Sequence, residues 1–251
     1  MQTRSINLWR WGLLLALLLC WELASRLRLI DPFFFSCPSQ ILQTAITKWQ
    51  TGSLWRDIVY TSTATIYGFL LGTVVGSILG LLFWFSKPVA LVAEPWLIVL
   101  NALPKLALAP VMVILIGIGF ASKVALAFLM TVAVAALSAY GGVKTLDPAL
   151  QTLLTSLGAT RLQTFTHLVV PSALPSIITG LRLNIALSMA GAIVGEFIAS
   201  DRGLGRMIVY AGTVFDLPLV WVGVVVLCAV SMLMYAAVVF TEKLLLRAVS
   251  R

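Results

Sequence analysis

Charge is scarce in this chain. Only 10% of its 251 residues are Asp, Glu, Lys or Arg, against about 25% in soluble domains, which excludes a water-exposed globule. Histidine is scarcer still: His167 is the only one, so a His-rich metal site is excluded and a serine nucleophile at membrane depth has no base. Cysteine numbers three, and Cys20 and Cys228 fall within apolar runs, which argues against a disulfide framework. No GxxxxGK phosphate loop, HExxH zinc motif or GxSxG nucleophile elbow occurs. Asp31, Asp57, Asp147, Asp201 and Asp216 lie in connections or at the ends of apolar runs, so an intramembrane aspartyl protease lacks its pair. The chain is therefore expected to be no enzyme, with no catalytic, metal or cofactor-binding residue.

What is abundant is hydrocarbon. Hydrophobic residues make up 61% and the mean hydropathy is +1.05. A bilayer crossing needs about 20 apolar residues, and the chain has room for six, near 11–30, 58–85, 89–117, 124–143, 174–198 and 218–240. The expected fold is all-α, a single polytopic membrane domain over 1–251 with its core at 58–246. The net charge of +8 suits cytoplasmic loops and anionic headgroups, and no basic run points to nucleic acid. Arg4 and Arg10 precede the first apolar run, but no small-residue cleavage site follows, so it reads as a retained span with Trp9 and Trp11 at the interface. Glu22 within it is expected to pair with Arg26, one turn on. Residues 31–57 read as an external connection.

One stretch, 146–175, looks built rather than merely connecting. Asp147 before Pro148 is a helix start, and Leu150, Leu153, Leu154 and Leu157 share one face. Gly158 closes that helix. Thr160 and Gln163 have capping-box spacing, and Leu162, Phe165 and Val169 mark a second short helix, expected to stop at Pro171. From pattern alone, this pair either lies on lipid or fits an apolar groove on a partner.

The segment resembles the coupling loop of ATP-binding-cassette importer permeases, in which Glu-Ala-Ala, three residues, Gly, nine residues and Ile-x-Leu-Pro recur. Here Gly158 is followed by nine residues and Leu168-Val169-Val170-Pro171. Thr152-Leu153-Leu154 replaces Glu-Ala-Ala, so an ionic contact from that position is not expected. The run Pro104-Lys105-Leu106-Ala107-Leu108-Ala109-Pro110 and the segment 195–205 (GEFIASDRGLG) are similar to the sulfonate, nitrate, taurine and bicarbonate type within that family. The resemblance implies a cytosolic coupling-helix pair over 145–171, between spans four and five. Leu150, Leu153, Leu154, Leu157, Gly158, Ala159, Arg161, Phe165 and Pro171 would meet the ATPase. It also implies a second copy of the chain, two cytosolic ABC ATPase subunits and an extracytoplasmic solute-binding protein. The setting would be a prokaryotic plasma (inner) membrane with both termini cytoplasmic, a topology that a slight excess of Lys and Arg on the knob side accompanies.

Polar residues at membrane depth are the candidates for a passage: Asn101 and Lys105 beside Pro104, Asn184 and Ser188 one turn apart, and Glu196, read either as an outer gate or as paired with Lys105 or Arg202. Gly68, Gly72, Gly76 and Gly80 recur every four residues, a helix-packing stripe whose partner lies in this chain or in a second copy. The expected solute is a small anion. The alternatives are a thiamine-precursor-type heterocycle, or a channel or secondary transporter without an ATPase, for which an inverted repeat is wanting.

Overall fold

The computed structural model describes residues 2–249. The side chains of Arg4, Arg10 and Trp11, and Arg251 of the basic tail, lie outside the described residues. Helix α1 runs over Gln2–Arg26. The expected external connection folds into two short helices, α2 (Pro32–Phe35) and α3 (Pro38–Gln50). Glu22 takes Arg26 at 2.7 Å, as expected, and also accepts the Ser39 N–H at 3.0 Å. A carboxylate at a helix N-terminus is favourable, so this one ties α1 to the start of α3.

Helix α4 (Ser53–Leu82) is followed by α5 (Lys87–Ala102) and α6 (Ala109–Ile116). The last two form one broken span, bent by 80°. Pro104 dictates the break, because a residue before proline is pushed out of the helical region, and Leu103 sits at φ −57, ψ 140. Helix α7 (Phe120–Lys144) leads to α8 (Pro148–Ser156) and α9 (Arg161–Thr164), and α10 (Val170–Ile198), α11 (Leu204–Thr213) and α12 (Leu217–Val249) complete the chain.

Among the described residues four helical stretches are long and apolar enough to cross a bilayer, or five counting the α5–α6 pair. The first of the six expected spans falls on α1, where several side chains lie outside the described residues. One expectation is overturned. Pro171 does not stop a helix, because the stretch Arg161–Ile198 is a single span. Proline lacks an N–H, and its ring would strike the carbonyl four residues back, that of His167. A π-turn over Phe165–Val169 widens the backbone there, and the helix passes on.

The core is the trio α4, α7 and α10. Gly68, Gly72, Gly76 and Gly80 face Ala127, Thr131, Ala135 and Ala139 of α7. The contacts advance four residues at a time in the same direction on both helices, so α4 and α7 run parallel. The partner of the stripe is thus in the same chain. A methyl group on Gly76 would lie 2.7 Å from the Ala135 Cβ, closer than any real pair. In lipid such backbone proximity supplies the van der Waals contact that the missing hydrophobic drive does not. Helix α10 runs antiparallel to both, with Gly191 against Ala127 near one end of α7 and Gly142 against Ala173 near the other.

Candidate functional site

At one end of the trio stands the knob. Asp147 accepts the Ala149 N–H at 2.8 Å and caps α8. Gly158 takes φ +79, with its N–H on the Thr155 carbonyl and that of Ala159 on the Leu154 carbonyl, both at 3.0 Å. That paired bonding with a left-handed glycine is the Schellman ending of a helix. Thr160 and Gln163 then form the reciprocal capping box. The turn is therefore rigid. Leu150, Leu153 and Leu157 are exposed, Leu157 to 73%, as are Gly158 and Arg161, while Leu154 and Ala159 are half-buried.

Phe165 differs from the rest of the expected ATPase-facing set. Its ring lies 4.7 Å from Phe85 and 6.0 Å from Trp84, so it anchors the knob to the end of α4. Pro171 lies within α10, at its second residue. Beside them Lys144 holds Glu94 at 2.5 Å and lies 4.7 Å over the Tyr140 ring, which fastens the end of α7 to α5.

At the opposite end the segment 195–205 makes an elbow around Glu196, whose side chain is 1% exposed. Its carboxylate accepts the Thr61 hydroxyl at 2.8 and 3.0 Å and the Gly205 N–H at 2.7 Å. The Thr61 oxygen in turn accepts the Leu204 N–H at 2.9 Å, and Asp57 takes that of Gly203 at 2.8 Å. Gly203 has φ +113, and a Cβ there would collide with the Glu196 carboxylate. Lys123 is fully buried and donates to the Ala199 carbonyl and to Ser122. Gly203 and Gly205 thus let a backbone wrap a buried carboxylate, Gly195 lets α10 approach Leu126 and Lys123 of α7, and the elbow binds α4, α10 and α11 together. Glu196 pairs with neither Lys105 nor Arg202. Sequence reasoning missed Thr61, Asp57 and the burial of Lys123; Thr61 and Thr65 are four residues apart, but one residue out of register with the glycine stripe.

The five expected passage residues divide into two groups. Asn184 donates to Thr73 Oγ1 at 3.2 Å and Ser188 to the Thr65 carbonyl at 2.6 Å. Both are buried between α10 and α4, on the same seam as Glu196. Asn101 and Lys105 come together at the α5–α6 elbow. The Lys105 ammonium donates to Asn101 Oδ1 at 3.2 Å and to the Met130 carbonyl at 3.4 Å. No ion pair among the described residues involves that ammonium.

A family model, binding-protein-dependent transport system inner membrane component, matches residues 72–251. The taurine transport system permease protein TauC of Escherichia coli is 31% identical over 90% of this chain and 88% of its own. The formylaminopyrimidine transport permease protein ThiX of Halalkalibacterium halodurans is 34% identical over 92% of each. Among solved structures, a chain of the MetNI methionine ABC transporter in an inward-facing form has a TM-score of 0.68 at 17% identity, covering 80% of this chain and 98% of that one, a likeness of fold. With a parallel glycine-packed core, a capped knob at one end and these relatives along nine-tenths of its length, the chain belongs to the family of inner membrane components of binding-protein-dependent transport systems.

Proposed function

We propose that this permease works as a pair of identical chains with two cytosolic ATP-binding-cassette subunits and an extracytoplasmic solute-binding protein, and imports a small anion. The knob lies in the cytosol, and both termini lie on its side. One observation carries the reading: a rigidly capped turn presents Leu150, Leu153 and Leu157 outward. Burying a leucine is worth about 1.5–3 kcal/mol, so three of them on an unyielding frame suit a groove on a partner. Helix α9 continues through the π-turn into α10 without a loop, so displacement of the knob is passed along α10 towards the Glu196 elbow. When the ATPases close on ATP they draw two knobs together, and the bundle shifts between its inward- and outward-facing populations. Solute passes by Asn101 and Lys105.

Leu153→Glu tests the docking. It places a charge on an exposed face and spares the fold, so the chain inserts normally while ATPase copurification falls at least tenfold and ATP-driven uptake is lost. An ATPase retained in full would refute the arrangement. The anion is supported by the Lys105 ammonium and by the likeness to a taurine permease. A formylaminopyrimidine-type solute is the second reading, favoured by the 34% identity to ThiX. Uptake into vesicles holding permease, ATPase and candidate binding proteins, run against a solute panel, separates them.

A further inference from the structure

Helix α3 carries its apolar residues on one side. At helical spacing Ile41, Ala45, Trp49, Leu42 and Ile46 fill one continuous arc, and the Ser, Thr, Gln and Lys residues fill the other. Only half of the apolar arc is used inside the protein. Ile41 and Ala45 pack on the cluster of Leu54, Leu204, Leu219 and Val222, whereas Leu42, Ile46 and Trp49 are each at least half exposed. We propose that α3 lies in the plane of the bilayer, in the leaflet remote from the knob, with Leu42, Ile46 and Trp49 among the acyl chains of phospholipid. The stretch that reads in the sequence as an external connection is then a membrane-surface anchor, whether or not the chain works with an ATPase.

The depth of α3 singles out lipid. Leu54 is the second residue of α4, and Leu219 and Val222 fall in the first two turns of α12, so Ile41 and Ala45 sit level with the ends of two spans. The Ser39 N–H on Glu22 ties the start of α3 to the end of a third, α1. With 13 residues, α3 is too short to cross a bilayer itself and has the make-up of an interfacial helix. The tryptophans mark the same level. Trp49 stands edge-on to Trp55 of α4 at 6.0 Å, and Trp21 of α1 to Trp221 of α12 at 5.1 Å. Four of the chain's eight tryptophans thus gather where these spans end, and tryptophan collects at the boundary between hydrocarbon and headgroup. Lys48 and Arg56 adjoin Trp49 and Trp55 in sequence, and cations beside tryptophan anchor helices at headgroup level. In this pose the exposed Gln43, Thr47 and Gln50 turn to water, and it is they that a soluble partner would meet. The cluster under α3 also holds Leu204 of the Glu196 elbow, so the anchor ties that elbow to the leaflet.

The test is spin labelling of the whole permease in vesicles of phosphatidylethanolamine and phosphatidylglycerol, in a background without Cys20, Cys37 and Cys228. Leu42→Cys, Gln43→Cys, Ile46→Cys and Thr47→Cys each take one nitroxide. All four positions are exposed, so the labels spare the fold. Oxygen concentrates among acyl chains, whereas a polar nickel chelate stays in water. The ratio of oxygen to chelate collision rates is expected to be at least fivefold higher at positions 42 and 46 than at 43 and 47. Equal ratios at all four would mean that the face meets water. Labels at 42 and 46 shielded from both reagents would mean that protein covers it, as a second copy would. Either result overturns the anchor. A second measurement keeps the native cysteines: the fluorescence lost on Trp49→Phe is expected to be strongly quenched by phospholipid brominated high on its acyl chains. A Trp49 signal that brominated lipid leaves untouched overturns the anchor as well.

Discussion

At the scale of single residues, the most consequential group is a carboxylate out of reach of water. Glu196 replaces its lost hydration with the Thr61 hydroxyl and the Gly205 N–H, and Thr61 passes the connection on to Leu204. Removing one partner from such a set strands the others, at about 1–3 kcal/mol for each unpaired group. Thr61→Val and Glu196→Ala are each expected to lower the melting temperature of the purified protein by several degrees. The double variant should cost well under the sum, because both changes break one network. Additive losses would show that the two side chains act independently. The pair of Arg182 and the buried Glu242 obeys the same rule across α10 and α12. Arg182→Ala leaves a buried carboxylate alone, so the double variant Arg182→Ala/Glu242→Gln is expected to melt above the single one. The reverse order would deny the pair any role in holding α12.

At the scale of elements, packing in this molecule is a matter of backbone proximity. Gly76→Ala sets a methyl group against the Val132 carbonyl and 2.7 Å from Ala135, and overpacking of this kind costs about 1–3 kcal/mol. Gly141, on α7, has open space where a Cβ would go, so Gly141→Ala should leave stability unchanged or raise it by about 0.4–1 kcal/mol. Thermal unfolding in detergent measures both, and equal effects would mean that the stripe does not seal α4 to α7. The stripe itself was legible as a pattern of small residues, and so was the irregularity of the third span, written in Pro104. The continuity of α9 with α10 was not. Proline reads as a stop at Pro171 because the rule is local, whereas the π-turn that defeats it belongs to a helix held on both sides by packing: Val169 and Ala173 are fully buried against Tyr140 and Val143.

At the scale of the whole molecule, the knob and the Glu196 elbow occupy opposite ends of one bundle, and the importer reading requires them on opposite faces of the membrane. In a background without Cys20, Cys37 and Cys228, Leu157→Cys is expected to react with a membrane-impermeant maleimide only in inverted vesicles. Arg202→Cys, exposed on the elbow, should react only from the outside of intact cells. Labelling of both positions from one side would overturn the topology, and with it the lever that joins knob to passage.

The sequence by itself determined whatever depends on neighbours a few residues apart. The Asp147 cap, the left-handed Gly158, the Thr160–Gln163 box, the Glu22–Arg26 pair and the break at Pro104 are contacts within one or two turns, and residue order sets them directly. Only the tertiary structure decided which way each helix turns. In a chain apolar on nearly every side, hydrophobic periodicity does not mark the inward face, so rotation about the helix axis is settled by contacts as distant as Thr61 with Glu196, 135 residues apart. For that reason Asn184 and Ser188 belong to the α4 seam, Phe165 to the Trp84–Phe85 joint and Lys123 to the interior, while Lys105 joins Asn101 at the α5–α6 elbow.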